Sequence, residues 1–217
     1  MTLTTTPMKS INEALRWRYA TQKFDMNKKL TDEEINNLLD SARLSPSWFG
    51  LQPWKFILVE DAALREKLQA VSYNQEKVTK SSHFVVFVSK TDYTEKDVDE
   101  YLASTAKAQG KTPADLKDLK GAIMNGFIAN HKDHLAKWAS NQTHISFGVF
   151  LAAAAAEGID AGPMGGFDPS AYDEILGLKE LGLHAEVICA LGHRSEDDED
   201  AKRPKSRFSL EEVVIRR

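Results

Sequence analysis

The chain predicts an α+β fold, and two observations predict it. Residues 55–59, 83–88 and 185–191 are short, nearly continuous apolar runs, the pattern of strands covered on both faces. Helix-patterned segments lie between these runs and outnumber them, which favours α+β over a regular alternation of strand and helix. The 217 residues can bury a sizeable core, and no linker, internal repeat or low-complexity tract divides them. One domain over 1–217 is therefore expected.

Taken in order, Ile11 and Leu15 fall four apart in a short first helix that ends near Arg18. Thr31-Asp32-Glu33-Glu34 is a capping box, with Thr31 as cap and Glu34 reaching back. Ile35, Leu38, Leu39 and Ala42 give that second helix its apolar stripe. Ser45 precedes Pro46, which pushes it out of helical geometry and ends the helix. A further helix is expected over 62–71, between the first two strands. Residues 94–138 turn polar, charged and helix-prone, with breaks at Pro113 and Gly121, and read as an excursion outside the core layer. Residues 142–157 carry Ile145, Phe147, Val149, Phe150, Leu151 and a run of five alanines. A helix apolar all round is buried, here in the core or in a subunit interface, and Gly158 suits its C-terminal end. Residues 159–164 lead into a glycine-rich turn. The acidic run Glu196-Asp197-Asp198-Glu199-Asp200 reads as a solvated loop. Val213-Val214-Ile215 is a lone β-prone segment, expected to pair with a sheet elsewhere, including one in a second subunit.

Composition removes several classes of function. The net charge of −4 argues against a general nucleic-acid binder, which normally shows a basic face. Met1-Thr2-Leu3-Thr4-Thr5-Thr6-Pro7 lacks the apolar core of a signal peptide. The longest apolar stretch, 145–156, falls well short of the ~20 residues that span a bilayer. The single cysteine, Cys189, allows no intrachain disulfide and reads as a small buried hydrophobe on a strand. A cytoplasmic protein without membrane attachment is expected.

The residues that can carry chemistry are cationic and aromatic. Arg18, Lys205 and Arg207 come from the two ends of the chain. Arg offers a planar fork of donors to phosphate oxygens and Lys a point charge, so the three could converge on one phosphate if the fold brings the ends together. Singly, each reads as a surface cation. Pro163-Met164-Gly165-Gly166-Phe167-Asp168 has two adjacent glycines, which permit positive φ and close approach of backbone to a ligand. The same segment also reads as a turn in which Asp168 caps a helix starting at Pro169. Trp48 and Phe49 flank a Ser/Gly/Pro turn, where large aromatics suit a flat pocket for a ring system. Trp54, beside a strand, reads as core. His131 and His134 nominate no further ligand, so no metal site is expected. There is no dinucleotide fingerprint, no P-loop and no nucleophile elbow.

Five short motifs in order carry a resemblance that spans nearly the whole chain. They are Arg18-Tyr19-Ala20-Thr21 with Lys23-Phe24-Asp25; Ser45-Pro46-Ser47 with Gln52-Pro53-Trp54; Asn74-Gln75-Glu76-Lys77; Pro163 with Gly166-Phe167-Asp168; and Pro204-Lys205-Ser206-Arg207. In these the chain resembles the nitroreductase family of FMN-dependent, NAD(P)H-using flavoenzymes. It is most similar to the branch of bacterial oxygen-insensitive nitroreductases and dihydropteridine reductases. The resemblance implies a central mixed β-sheet flanked by helices, in a homodimer with FMN at the subunit interface and a C-terminal tail extending onto the partner. It implies that Arg18, Lys205 and Arg207 hold the FMN phosphate, together with Ser206. Tyr19, Ala20, Thr21 and Gln22 would run along the cofactor, and Asn74 and Lys77 would face the pyrimidine edge of its ring. Pro163, Met164, Gly165 and Gly166 would line the other face, while Ser47, Trp48 and Gly50 would come from the second subunit. Phe49, Tyr73 and Met124 would shape the substrate pocket.

The chemistry so implied is two-electron transfer from NAD(P)H to a flat small-molecule acceptor such as a nitroaromatic, quinone or pterin, by a ping-pong sequence. Flavin or enone reduction at the same site and a non-redox flavin-binding role are the alternatives. The flavin N5 carries the reaction, so no side chain is nominated as catalytic. Three positions depart from the branch: Gln22 stands where a lysine is common, Gly50 where an asparagine is common and Gly165 where a glutamate is common. With Gln22 neutral, only Lys77 supplies positive charge near the flavin N1 and C2 carbonyl, and a lower reduction potential is expected.

Overall fold

The structure, a computed structural model, describes residues 10–217; the opening segment read for a leader lies outside them. Ser10 caps α1 (Ile11–Trp17) through a capping box with Glu13, and Thr31 and Glu34 make the expected box at the start of α2 (Asp32–Arg43). Strand β1 (Trp54–Leu58) follows, then α3 (Ala62–Ala70), α4 (Lys77–Lys80) and β2 (His83–Lys90). The excursion contains α5 (Glu95–Gln109) and α6 (Lys117–Gly121), and α7 (Leu135–Ala156) returns the chain to the sheet. Strand β3 (Asp160–Met164), α8 (Pro169–Ile175), β4 (Leu183–Gly192) and α9 (Leu210–Val213) complete it.

The four strands form one sheet in the order β1-β2-β4-β3, and every pairing is antiparallel. The α+β class holds, but within one chain the sheet is antiparallel rather than mixed. Strand residues alternate between two apolar layers, as the period of two requires. Phe84, Val86, Val88, Ile188 and Ala190 pack with Leu68, Tyr172 and Leu178 from the α3 and α8 side. Val85, Phe87, Val187, Cys189 and Leu191 pack with Leu38, Phe147 and Phe150 from α2 and α7. Cys189 is the buried hydrophobe expected, and burial pushes its thiol up to about 12. The excursion has a core of its own, built on Val98, Leu102, Ile123, Phe127 and Trp138.

Four expectations change. Gly121 does not break the excursion; it has right-handed helical geometry and α6 runs straight into a π-helical segment, Ala122–Ile128. Helix α7 begins seven residues earlier than its apolar stretch and is not buried all round in one chain: Phe150 is fully buried while Ile145 is 45% exposed. The acidic run is not uniformly solvated, because Asp198 is only 2% exposed. Residues 213–215 form no strand, since Ser209 and Glu212 close a capping box that commits 210–213 to a helical turn.

Candidate functional site

The two ends of the chain do meet. Helix α1 stops at Arg18, whose backbone turns extended and puts the guanidinium beside the segment that follows β4. Lys205 Nζ donates to the carbonyls of Leu15 and Arg18, neutralising the negative end of α1. Arg16, Arg18, Tyr19, Ala20 and Gln22 from one side and Arg203, Pro204, Lys205, Ser206 and Arg207 from the other line a cavity of about 510 Å³.

The electrostatics of this cavity are those of an anion site. Burial, then the charge of Arg207, lowers the pKa of Arg18. Lys205 is lowered by burial and by Arg18 and Arg207. Arg18 Nε is buried with no hydrogen-bond partner. Three mutually repelling cations and an orphaned guanidinium N–H are costly as they stand, and a phosphate dianion between them would satisfy both. The residues present therefore fit a phosphate-bearing cofactor.

The next stretch is fixed by backbone. Thr21 is fully buried, and its N–H donates to Ala161 O on β3 at 3.1 Å. A Cβ on Gly162 would lie 2.6 Å from Thr21 O, so only glycine lets β3 pass this close. Gln22 then meets Lys77, which is 6% exposed at the start of α4: Lys77 Nζ donates to Gln22 Oε1 at 3.0 Å, and Gln22 Nε2 donates to Ala20 O at 2.7 Å. Burial lowers the Lys77 pKa. Asn74 and Tyr73 both hold positive φ, 54° and 51°, in the turn leading to α4. Such non-glycine strain persists where surrounding contacts fix it. Here Gln75 Nε2 donates to Gly166 O at 2.8 Å, which ties this turn to the segment after β3. Neither Gly165 nor Gly166 takes a positive φ; a Cβ on Gly166 would lie 3.6 Å from the Tyr73 ring. Asp168 caps α8 with Pro169 in its first turn, so the capping reading of that segment is correct.

Ser47, Trp48 and Gly50 do not line the cationic cavity. Their loop is held by Gln142 Oε1, which accepts from the Trp48 N–H at 2.8 Å, and by Tyr101, whose hydroxyl donates to Phe49 O at 2.7 Å. Phe49 has φ 56° and Gly50 φ 78°. Trp48, Phe49, Phe127 and His131 form a contiguous aromatic group, with Trp48 50% exposed. Met124 packs partly buried against the neighbouring core. His131 is thus an aromatic-cluster residue whose ring nitrogen faces Phe127 O, and no metal-holding group of His, Cys, Asp or Glu occurs among the described residues.

Sequence reasoning missed several positioning residues. Asp198 accepts from Tyr19 Oη at 2.9 Å, Gln22 N at 2.8 Å and Lys23 N at 3.1 Å. Asp160 pairs with Arg194, whose guanidinium lies 4.4 Å from the Trp17 ring centre and 4.7 Å from that of Tyr19. One acid among five and one arginine after a strand carry no local signal that sets them apart.

The α+β fold with a cationic cavity of this kind fits a class of protein that takes a phosphate-bearing ligand. The model of the Nitroreductase family matches residues 15–193, and the chain belongs to that family. It is 35% identical to YfkO of Bacillus subtilis, provisionally named an NAD(P)H nitroreductase, over 94% of this chain and 96% of that one. A protein of Staphylococcus aureus (strain N315) with the same provisional name is 34% identical over 94% of each chain. Among solved structures, a provisionally named nitroreductase from Exiguobacterium sibiricum, in complex with FMN, has the same fold at TM-score 0.82 and 21% identity, covering 96% of this chain and 98% of that one.

Proposed function

We propose that this chain is an FMN-dependent oxidoreductase that takes two electrons from NAD(P)H and passes them to flat, electron-poor acceptors such as nitroaromatics, quinones or pterins. The observation that carries the reading is the cavity in which Arg18, Lys205 and Arg207 meet around an unpartnered guanidinium N–H. Those three, with Ser206, would hold the FMN phosphate, and Tyr19 to Gln22 would run along the cofactor toward Lys77. FMN, when bound, supplies hydride exchange at its N5. Lys77, oriented by Gln22 Oε1, would place positive charge where the ring takes up electrons. Asn74, Gly165 and Gly166 line the ring. Ser47, Trp48 and Gly50 complete the site from a second copy of the chain, and Phe49, Tyr73 and Met124 select the acceptor. Donor and acceptor use one open face in turn. No side chain is needed as a proton donor, since solvent reaches that face.

The visible absorption spectrum of the purified protein, taken anaerobically before and after NADH or NADPH, tests this reading. A flavin spectrum that bleaches with a nicotinamide and returns with a quinone is expected; a colourless protein that fails to take up FMN overturns it. The phosphate clamp is tested separately by Lys205→Ala with Arg207→Ala. Charge-assisted bonds contribute about 1.5–3 kcal/mol each, so losing both donors should weaken FMN binding by ~100-fold or more. Flavin content and a fluorescence titration measure it.

A further inference from the structure

The acidic stretch after β4 contains one residue that behaves unlike its neighbours. Asp198 is 2% exposed, while the sequence around it is charged and solvated. Its Oδ2 accepts three bonds, from Tyr19 Oη, Gln22 N and Lys23 N, at 2.8–3.1 Å. Its Oδ1 accepts from Asp200 N at 3.2 Å, closing the turn that leads to Arg203 and Lys205. A buried carboxylate is stable only when hydrogen-bonded, and these donors hold the Asp198 pKa below its ordinary range despite burial. Among the described residues no cation forms an ion pair with it; its partners are three backbone N–H groups, of Gln22, Lys23 and Asp200, and the Tyr19 phenol.

The position of Asp198 gives those bonds a consequence. One half of the cationic cavity is carried by residues 16–22 and the other by residues 200–207, where Asp200 is paired with Arg203. These halves are distant in sequence and are joined at one end by Lys205 Nζ on the carbonyls of Leu15 and Arg18. That junction uses a residue that must also face an anion. Asp198 joins the halves at the other end without entering the cavity. Resting on the FMN reading above, we propose that Asp198 is a positioning residue that holds the two halves of the phosphate clamp in register, so that cofactor phosphate rather than the flavin ring is what it secures.

Replacement by asparagine keeps the shape and one carbonyl oxygen for the Tyr19, Gln22 and Lys23 donors, but it removes the negative charge and turns an amide N–H toward the Asp200 N–H, from which the other carboxylate oxygen accepts. The test compares FMN with riboflavin, which has the same ring and no phosphate. For wild type and Asp198→Asn, full-length, the dissociation constants of both flavins are measured by fluorescence quenching. Asp198→Asn is expected to reduce the preference for FMN over riboflavin by about 10-fold, with riboflavin affinity changed less than 3-fold. Equal preference in the two proteins overturns the positioning role while leaving the FMN reading intact. So does a parallel loss of both flavins, which marks a general structural role. Wild type that binds neither flavin overturns the FMN reading and this inference with it. If Asp198→Asn does not fold, Tyr19→Phe removes one of the three donors and should lower the same preference by about 3-fold; no change in that ratio overturns the inference.

Discussion

At the scale of single residues, the site is a balance of cations with few counter-charges, and two of them give predictions. Gln22 occupies Lys77 with its carbonyl oxygen and Ala20 O with its amide, so it adds no charge of its own. Gln22→Lys would place a second ammonium beside the buried one and stabilise negative charge on the flavin. The midpoint potential should rise by about 30 mV, equivalent to ~1.4 kcal/mol for two electrons. A redox titration of the two proteins measures it, and an unchanged potential would remove the proposed role of charge at this position. Lys205 gives a pH dependence. Burial, Arg18 and Arg207 lower its pKa in the free protein. A phosphate placed among the three cations raises it again, so binding favours the protonated form. Affinity is then full below the free-state pKa and declines as pH rises through it. Inorganic phosphate binding, followed by calorimetry from pH 7 upward, should fall in the alkaline range for wild type and stay flatter for Lys205→Gln.

At the scale of elements, the local signals that read correctly are those with a mechanism confined to a few residues. The Thr31 box, the Asp168 cap before Pro169 and the apolar strand runs needed no tertiary information. Thr31 Oγ1 accepts from the Glu34 N–H and Glu34 Oε2 accepts from the Thr31 N–H at 2.7 Å, so Thr31→Ala removes the side-chain half of a reciprocal cap on a helix packed against α7 and keeps the backbone half. The loss should be about 1 kcal/mol, visible as a lowered urea midpoint with an unchanged slope. The π-helical segment Ala122–Ile128 was not legible, because its geometry comes from packing Ile123, Phe127 and Ile128 into the excursion's own core, which no periodicity reports. The positive φ anticipated at 165–166 is absent for a related reason: the glycine whose missing side chain the fold uses is Gly162, whose neighbour Thr21 is far away in sequence. Arg18, Lys205 and Arg207 were legible as a clamp only because three cations share one plausible ligand. Asp198, which aligns them, was hidden in a charge run.

At the scale of the whole molecule, the single chain leaves apolar surface that its own fold does not cover. Ile11 is 54% exposed, Leu15 43%, Ile145 45%, Phe208 78% and Ile215 79%. They lie on α1, on α7 and on the C-terminal segment around α9. Helix α1 packs on α7, which places Ile11, Leu15 and Ile145 on neighbouring elements. Uncovered apolar area on this scale suits a protein–protein contact, and the proposed site, to which Ser47, Trp48 and Gly50 would come from a second copy, predicts that the partner is that copy. A two-fold dimer repeats each substitution twice, so Ile145→Glu would bury two carboxylates near one another if the contact formed. The desolvation of even one unpaired charge outweighs the ~1.5–3 kcal/mol that a buried isoleucine contributes. The wild-type protein should therefore sediment at twice the chain mass and Ile145→Glu at the chain mass. If the proposed site draws on both copies, flavin should be lost with the dimer rather than after it. Sedimentation velocity read at both the protein and the flavin wavelengths separates the cases. A monomeric variant that keeps its flavin would place the whole site within one chain, and a wild type that is monomeric at micromolar concentration would leave the exposed face of α7 without this partner.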